Sequence, residues 1–410
     1  MSKNMKKIDG GVTVAKGFMA ASAAAGIKYQ GRDDMALVYT EKEAVCAGTF
    51  TTNVVKAAPV KWDKEIVTAG KTVHAVVLNS GIANACTGEE GKKQNYRMAK
   101  EVADQLGLQP EQVLTASTGV IGMQLKEEPL VRGAALLKEA LSDTREAAGN
   151  AAKAIMTTDT VSKEIAVQFA AEDKIVTLGG MCKGSGMIHP NMATMLSVVT
   201  TDAAISHNVL QELLGEVVAD SFNMISVDRD TSTNDTYLVL ANGASGVTVE
   251  KGTEVYEAFK EALFYLSVEL AKKMAADGEG CTRLFEVEIT GCESKEKAKI
   301  LSKSVISSNL VKAMIFGSDA NCGRILCAMG YAGVEFDPEI IDMSVESDGE
   351  SILLVKDGVV LSFDEEKAKK IMSRDKITVH CDMKEGSASA IAWGCDLTYD
   401  YVKINGDYRS

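Results

Sequence analysis

Apolar residues recur at three- and four-residue spacing over Gly91–Leu106, Pro129–Met156, Ser206–Ser221, Glu254–Ala276 and Lys303–Ile315, a period that predicts five helices. Short apolar or alternating runs at His74–Leu78, Glu164–Phe169, Lys174–Leu178, Thr236–Leu240, Phe285–Ile289, Ile352–Val355 and Lys376–His380 predict strands. The two kinds of element are interleaved but grouped. That order favours a layered α+β architecture over a doubly wound sheet, which needs strict alternation.

Seven segments interrupt the pattern with dense Gly, Ser, Thr, Asn and Asp: Asn79–Gly88, Ala116–Gly122, Met156–Thr160, Lys183–Leu196, Asp228–Thr236, Asp277–Gly280 and Gly317–Arg324. Each alone reads as a turn. Spread over the whole chain, they read together as the walls of one site.

Composition narrows the function classes. The chain has 410 residues and a formal charge of −13, with 57 acidic against 44 basic residues, which argues against a nucleic-acid or anionic-membrane surface. Small molecules and other protein chains are the expected partners. The start MSKNMKKIDGGVTVAKGF has basic residues but no apolar stretch with a small-residue cleavage site, so a cytoplasmic location is expected. No apolar run approaches a membrane span. Nine cysteines, odd in number and scattered, are expected to be reduced and mostly buried. Cys322 and Cys327, or His380 beside Cys381, raise the question of a metal, but no CxxC pair occurs and no metal is expected.

The stretch Lys183–Leu196 (KGSGMIHPNMATML) carries the most chemistry. Gly184 and Gly186 permit close backbone approach, Pro190 stiffens the chain, and Ala193-Thr194 leads into an apolar, strand-like run through Val199. On this stretch alone Thr194 is one β-branched strand residue among many. A threonine becomes a nucleophile when a base takes its proton, and the α-amine of an N-terminal threonine, with a pKa of about 7.7–8.0, can be that base. An internal Thr194 must first be released, by attack of its Oγ on the Ala193 carbonyl and hydrolysis of the resulting ester. Acyl transfer also needs donors aimed at a developing oxyanion. Thr118-Gly119 in ASTGVIG supplies a hydroxyl and an unobstructed backbone N–H, although on this motif alone the segment reads as an ordinary turn.

These residues, with STGVIG, MTTDT, DTSTNDT, GEG and the carboxy-terminal YVKINGDYRS, resemble the ornithine acetyltransferases, or glutamate N-acetyltransferases, of the cyclic arginine pathway. The resemblance runs from GVTVAKGF to Ser410. It implies a layered sandwich of sheets between helices, similar to N-terminal-nucleophile enzymes in function. It further implies self-cleavage between Ala193 and Thr194 into fragments 1–193 and 194–410, which stay together as an α2β2 assembly. Thr194 would be nucleophile and acetyl carrier, Thr118 and Gly119 the oxyanion donors, and Thr157, Lys183, Thr194, Glu279, Asn405 and Ser410 the substrate contacts. The substrates implied are N-acetylornithine and glutamate. No cofactor is expected, and acetyl-CoA stays open as a second acetyl donor.

The chemistry of the residues agrees with these roles. Lys183 can hold a carboxylate as a point charge, Thr157 and Asn405 can add neutral hydrogen bonds, and Glu279 can pair with the ornithine ammonium. Four positions depart from the family pattern. Ile82 stands in NSGIAN where asparagine is common, Cys281 follows GEG where alanine is usual, Cys322 follows Asn321 where tryptophan is frequent, and Ser410 replaces a terminal threonine. They bear on the shape of the pocket and the acceptor preference more than on the reaction class. Two other readings remain at this point: a self-processed amidohydrolase or aminopeptidase in which water takes the acyl group, and a catalytically silent binder of acetylated amino acids.

Overall fold

The computed structural model describes residues 5–189 and 195–407. The chain divides into two compact units, one comprising Met1–Gly184, Pro190–Asn223 and Thr231–Ala271, the other Ser185–His189, Met224–Asp230 and Lys272–Ser410.

The first unit is built on a nine-stranded mixed sheet of β1 (Met5–Ile8), β2 (Phe18–Ala23), β3 (Met35–Phe50), β4 (Val73–Asn79), β5 (Val113–Ser117), β6 (Lys163–Ala171), β7 (Lys174–Lys183), β8 (Leu196–Thr201) and β9 (Thr236–Ala241). Its order is β1-β6-β7-β8-β9-β3-β4-β5, with β2 paired to β3. The pairs β8/β9 and β4/β5 are parallel and the others antiparallel. Among the described residues, five helices lie wholly in this unit: α1 (Ala58–Thr68), α2 (Gly88–Leu106), α3 (Glu127–Glu139), α4 (Arg145–Ala154) and α5 (His207–Ala219).

The two-residue period of the strands sends alternate side chains to opposite faces. Met35, Leu37, Ala75, Val77 and Val113 pack with Met98 and Val102 of α2 and Leu130 and Leu137 of α3. Their neighbours Ala36, Val38, Val76, Leu78 and Leu114 join Leu238, Leu240 and the alanines 147, 148, 151 and 152 of α4 in a second core. Both faces are therefore apolar, which explains why β4 is buried at every position.

In the second unit the sheet comprises β10 (Leu284–Cys292), β11 (Asp342–Ser347), β12 (Glu350–Lys356), β13 (Val359–Val360), β14 (Lys376–Asp382) and β15 (Ala388–Cys395), with the short strand Ile225–Ser226 beside β15. The order from that edge is β15-β10-β14-β11-β12-β13. Helix α6 (Glu254–Ala276) contains the division between the units. Four further helices follow: α7 (Lys295–Ile306), α8 (Asn309–Phe316), α9 (Cys322–Gly330) and α10 (Glu365–Met372), with α11 (Tyr399–Gly406) closing the described chain. Ala298, Leu301, Val305 and Ile306 form the buried side of α7, which packs on β10 and β15. It comes close at Gly394, where a Cβ would lie 3.1 Å from that of Ile306.

The α+β expectation holds, and each predicted strand falls on an observed one. Two predicted helices need correction. Pro129–Met156 is broken between α3 and α4 because Thr144 caps α4, its hydroxyl accepting from Ala147 N at 3.2 Å. Lys303–Ile315 is broken at Ser307-Ser308, where the Ser308 hydroxyl caps α8 by accepting from Val311 N. In both cases a hydroxyl satisfies a backbone N–H that a continuous helix would have bonded. Among the described residues no helix is long and apolar enough to cross a membrane.

The expected fragments 1–193 and 194–410 do not coincide with the compact units. Strands β8 and β9, which follow position 194, lie between β7 and β3, which precede it.

Candidate active site

Strand β5 ends beside β4, and the loop that follows it is tied to residues 79–83. Thr118 N donates to Asn79 O (3.0 Å) and Val120 N to Gly81 O (3.1 Å), while Ala83 N returns a bond to Val120 O (3.0 Å). Ser117 Oγ donates to Asn79 Oδ1 (2.7 Å), and Asn234 Nδ2 donates to the carbonyls of Ser117 (2.8 Å) and Ala83 (2.5 Å). Ile82, one of the departures from the family pattern, bridges to Thr118 and Val120 in this loop. The fit leaves no room for a side chain at Gly119, where φ is +129° and a Cβ would lie 2.2 Å from the Gly81 carbonyl carbon. Gly119 is thus fixed by backbone geometry. Gly119→Ala is expected to cost about 1–3 kcal/mol of stability from the strained backbone and to displace the N–H; a thermal melt unchanged from wild type would refute this close-approach reading.

Lys183, at the end of β7, brings two distant hydroxyls together. Its ammonium donates to Thr157 Oγ1 at 2.8 Å and Thr118 Oγ1 at 3.2 Å, although the side chain is only 9% exposed. An ammonium has donors alone, so both hydroxyls accept from it and turn their own protons elsewhere. That orientation leaves both threonine protons to be donated to another oxygen. Three residues expected to share a site, Thr118, Thr157 and Lys183, are therefore in contact, with Gly119 adjoining.

The sequence reading missed Asp159, the acid of MTTDT. Its carboxylate is fully buried, accepting from Thr157 N (3.1 Å), Gly184 N (2.7 Å) and Lys163 Nζ (2.7 Å), with the Lys183 ammonium 3.7 Å away. Burial works to raise its pKa, but Lys183 and Lys163 outweigh it and hold the carboxyl well below the usual range. The signal available was a charged residue inside a segment already marked as unusually polar.

In the second unit, Glu279 and Asn405 meet: Asn405 Nδ2 donates to Glu279 Oε2 at 2.7 Å. Glu279 is 6% exposed, and a Cβ on Gly186 would lie 2.3 Å from its carboxylate, so the second glycine of KGSGM is required by that acid. Asp228, also unassigned from sequence, clamps the same loop by accepting from Met187 N (2.6 Å) and Ile188 N (2.8 Å). Burial raises its pKa despite these bonds. The proposed nucleophile Thr194, its neighbour Ala193 and Ser410 lie outside the described residues.

All nine cysteines are free thiols, six of them buried. Cys281 donates to the Ala276 carbonyl at 3.2 Å, and Cys322 is buried beside Asn321, the N-cap of α9. Among the described residues no group of three or more His, Cys, Asp or Glu side chains could hold a metal ion.

Comparison with known proteins gives the family. The model of the ArgJ family matches residues 19–410. The arginine biosynthesis bifunctional protein ArgJ 1 of Clostridium acetobutylicum is 51% identical over 395 residues, covering 96% of this chain and 96% of that protein. The ArgJ of Caldanaerobacter subterraneus is 46% identical over 407 residues, 99% of this chain and 100% of that protein. The crystal structure of the ornithine acetyltransferase of Mycobacterium tuberculosis, complexed with ornithine, aligns at 40% identity over 47% of this chain and 100% of that one, with a TM-score of 0.43. The chain belongs to the ArgJ family.

Proposed function

We propose that this protein transfers the acetyl group of N2-acetyl-L-ornithine to L-glutamate in arginine biosynthesis, releasing ornithine and N-acetylglutamate through an acetyl-threonine intermediate. The observation that carries the reading is the contact of Lys183 with the Thr118 and Thr157 hydroxyls beside the constrained Gly119. A cation and oriented donors are what a carboxylate-bearing substrate and a tetrahedral oxyanion need. The names and the identity of the ArgJ relatives support the same reaction.

The roles follow residue by residue. The Thr194 Oγ attacks the acetyl carbonyl, its own α-amine taking the proton after cleavage at Ala193-Thr194. Thr118 and the Gly119 N–H stabilise the oxyanion. Lys183 holds the α-carboxylate and Thr157 adds a hydrogen bond; Glu279 takes the ornithine ammonium, with Asn405 and Ser410 completing the contacts. The two fragments stay associated, because strands on either side of the cut share one sheet, and assemble as α2β2 in the cytoplasm. The reaction so written needs no cofactor.

The test is an assay of purified protein with glutamate and either N-acetylornithine or acetyl-CoA. N-acetylglutamate formed from N-acetylornithine is expected, and formation from acetyl-CoA as well defines a bifunctional enzyme. Release of acetate at a rate indifferent to glutamate would replace the transferase with an amidohydrolase.

A further inference from the structure

We propose that Asp159 is a positioning residue for acetyl transfer: its carboxylate fixes the Lys183 ammonium against the Thr118 and Thr157 hydroxyls and thereby sets the direction in which both donate. The inference rests on the function proposed above and adds to it a residue that touches no substrate.

The geometry is that of one carboxylate holding both ends of a hydrogen bond. Asp159 Oδ2 accepts from Thr157 N at 3.1 Å, and the Thr157 hydroxyl in turn accepts from Lys183 at 2.8 Å. Asp159 Oδ1 accepts from Gly184 N at 2.7 Å, the residue after Lys183. The Lys183 ammonium itself is 3.7 Å from Oδ2, close enough for Coulomb attraction yet beyond a hydrogen bond, so its donors are directed to the hydroxyls. A lysine side chain gives up rotamer entropy when fixed. A charge anchored through two backbone N–H groups supplies an attraction to offset it.

Lys163 makes this arrangement tolerable. Its ammonium, 1% exposed, donates to Asp159 Oδ1 at 2.7 Å, so the carboxylate is buried already paired. Of the charged groups in residues 157–163, Asp159 lies 3.7 Å from the Lys183 ammonium and Lys163 pairs with Asp159. On β8 its register partner is the apolar Leu196, and the preceding Cys182 directs its thiol to the Leu270 carbonyl.

A purely structural Asp159 would exist to neutralise Lys163, so the decisive comparison removes Lys163 first. Lys163→Met and the double variant Asp159→Asn/Lys163→Met are compared as purified full chains, with turnover normalised to the cleaved fraction found by intact mass. Asn keeps the shape and one acceptor oxygen but loses the charge. The double variant is expected to show kcat/KM for N-acetylornithine at least about tenfold below Lys163→Met, without loss of thermal midpoint.

The pH profile gives the second readout. A carboxylate beside an ammonium raises its pKa, so without Asp159 the Lys183 proton leaves at lower pH. The alkaline limb of kcat/KM therefore moves to lower pH, the direction set by loss of a carboxylate 3.7 Å from the ammonium. Substrate ionisation is common to both variants, so the difference belongs to the protein. Asp159→Asn alone, measured beside them, is expected to shift the limb the same way and keeps the test decisive if Lys163→Met is unstable. Superposable profiles with equal kcat/KM overturn the assignment of Asp159 alone. Absence of acetyl transfer in wild type overturns the proposed function, and this inference with it.

Discussion

Thr118→Ala is expected to lower kcat on the order of 10²–10³-fold while leaving the KM for N-acetylornithine within a few-fold of wild type. The reason is directional. Lys183 donates to Thr118 Oγ1 at 3.2 Å and has no lone pair to offer in return, so the threonine proton points away from the lysine. A donor aimed at charge that appears only in the transition state contributes little to ground-state binding. Thr118→Ser keeps the hydroxyl and is expected to recover most of the rate. The cleaved fraction must be measured first, because self-processing also passes through a tetrahedral oxyanion. An unchanged kcat with a raised KM would make Thr118 a binding residue and leave Gly119 as the oxyanion donor.

How much of this site could be read from sequence depends on the kind of contact. Helix Glu254–Ala276 was legible to both ends because its apolar spacing continues for 23 residues, uninterrupted by a capping hydroxyl. Strand β3 was not legible, since its 16 residues contain the charged run Glu41-Lys42-Glu43, exposed where the register shifts between Tyr39 and Ala44. Helix α4 is rich in alanine, and the small side chains that let it sit close to β2 and β3 also blur its period.

The site shows the same division. Gly119 was legible as a glycine in a polar loop, but the reason for it is the Gly81 carbonyl, 38 positions away in the chain. Lys183, Thr118 and Thr157 lie in three of the polar segments read together as walls of one site, but their individual roles came through family resemblance, because periodicity carries no information about contacts across 26 or 65 residues. Asp159 and Lys163 escaped even that route. A buried ion pair between positions i and i+4 outside a helix looks in sequence like two solvated charges in a turn, and only burial distinguishes them.

Thr194→Ala is expected to abolish both self-cleavage and turnover, because one oxygen atom serves both reactions. Wild-type protein should resolve into two fragments of similar size, the first ending at Ala193, and the variant should remain a single 43.6 kDa chain. The nucleophile also fixes the kinetic form of the reaction. If the acetyl group rests on Thr194 between substrates, initial rates follow a ping-pong pattern, and incubation with N-acetylornithine alone adds one acetyl mass to the fragment that begins at Thr194. Glutamate then discharges it. Thr194→Ser keeps an oxygen but loses the methyl that restricts the rotamer, so partial cleavage and reduced turnover are expected. The same labelling separates the competing chemistries. A silent binder acquires no acetyl mass, and an amidohydrolase acquires it but loses it to water equally fast with or without glutamate. An active Thr194→Ala protein, or acetyl mass on any other residue, would remove the covalent mechanism proposed here and leave Lys183, Thr118 and Gly119 as a binding site for direct transfer.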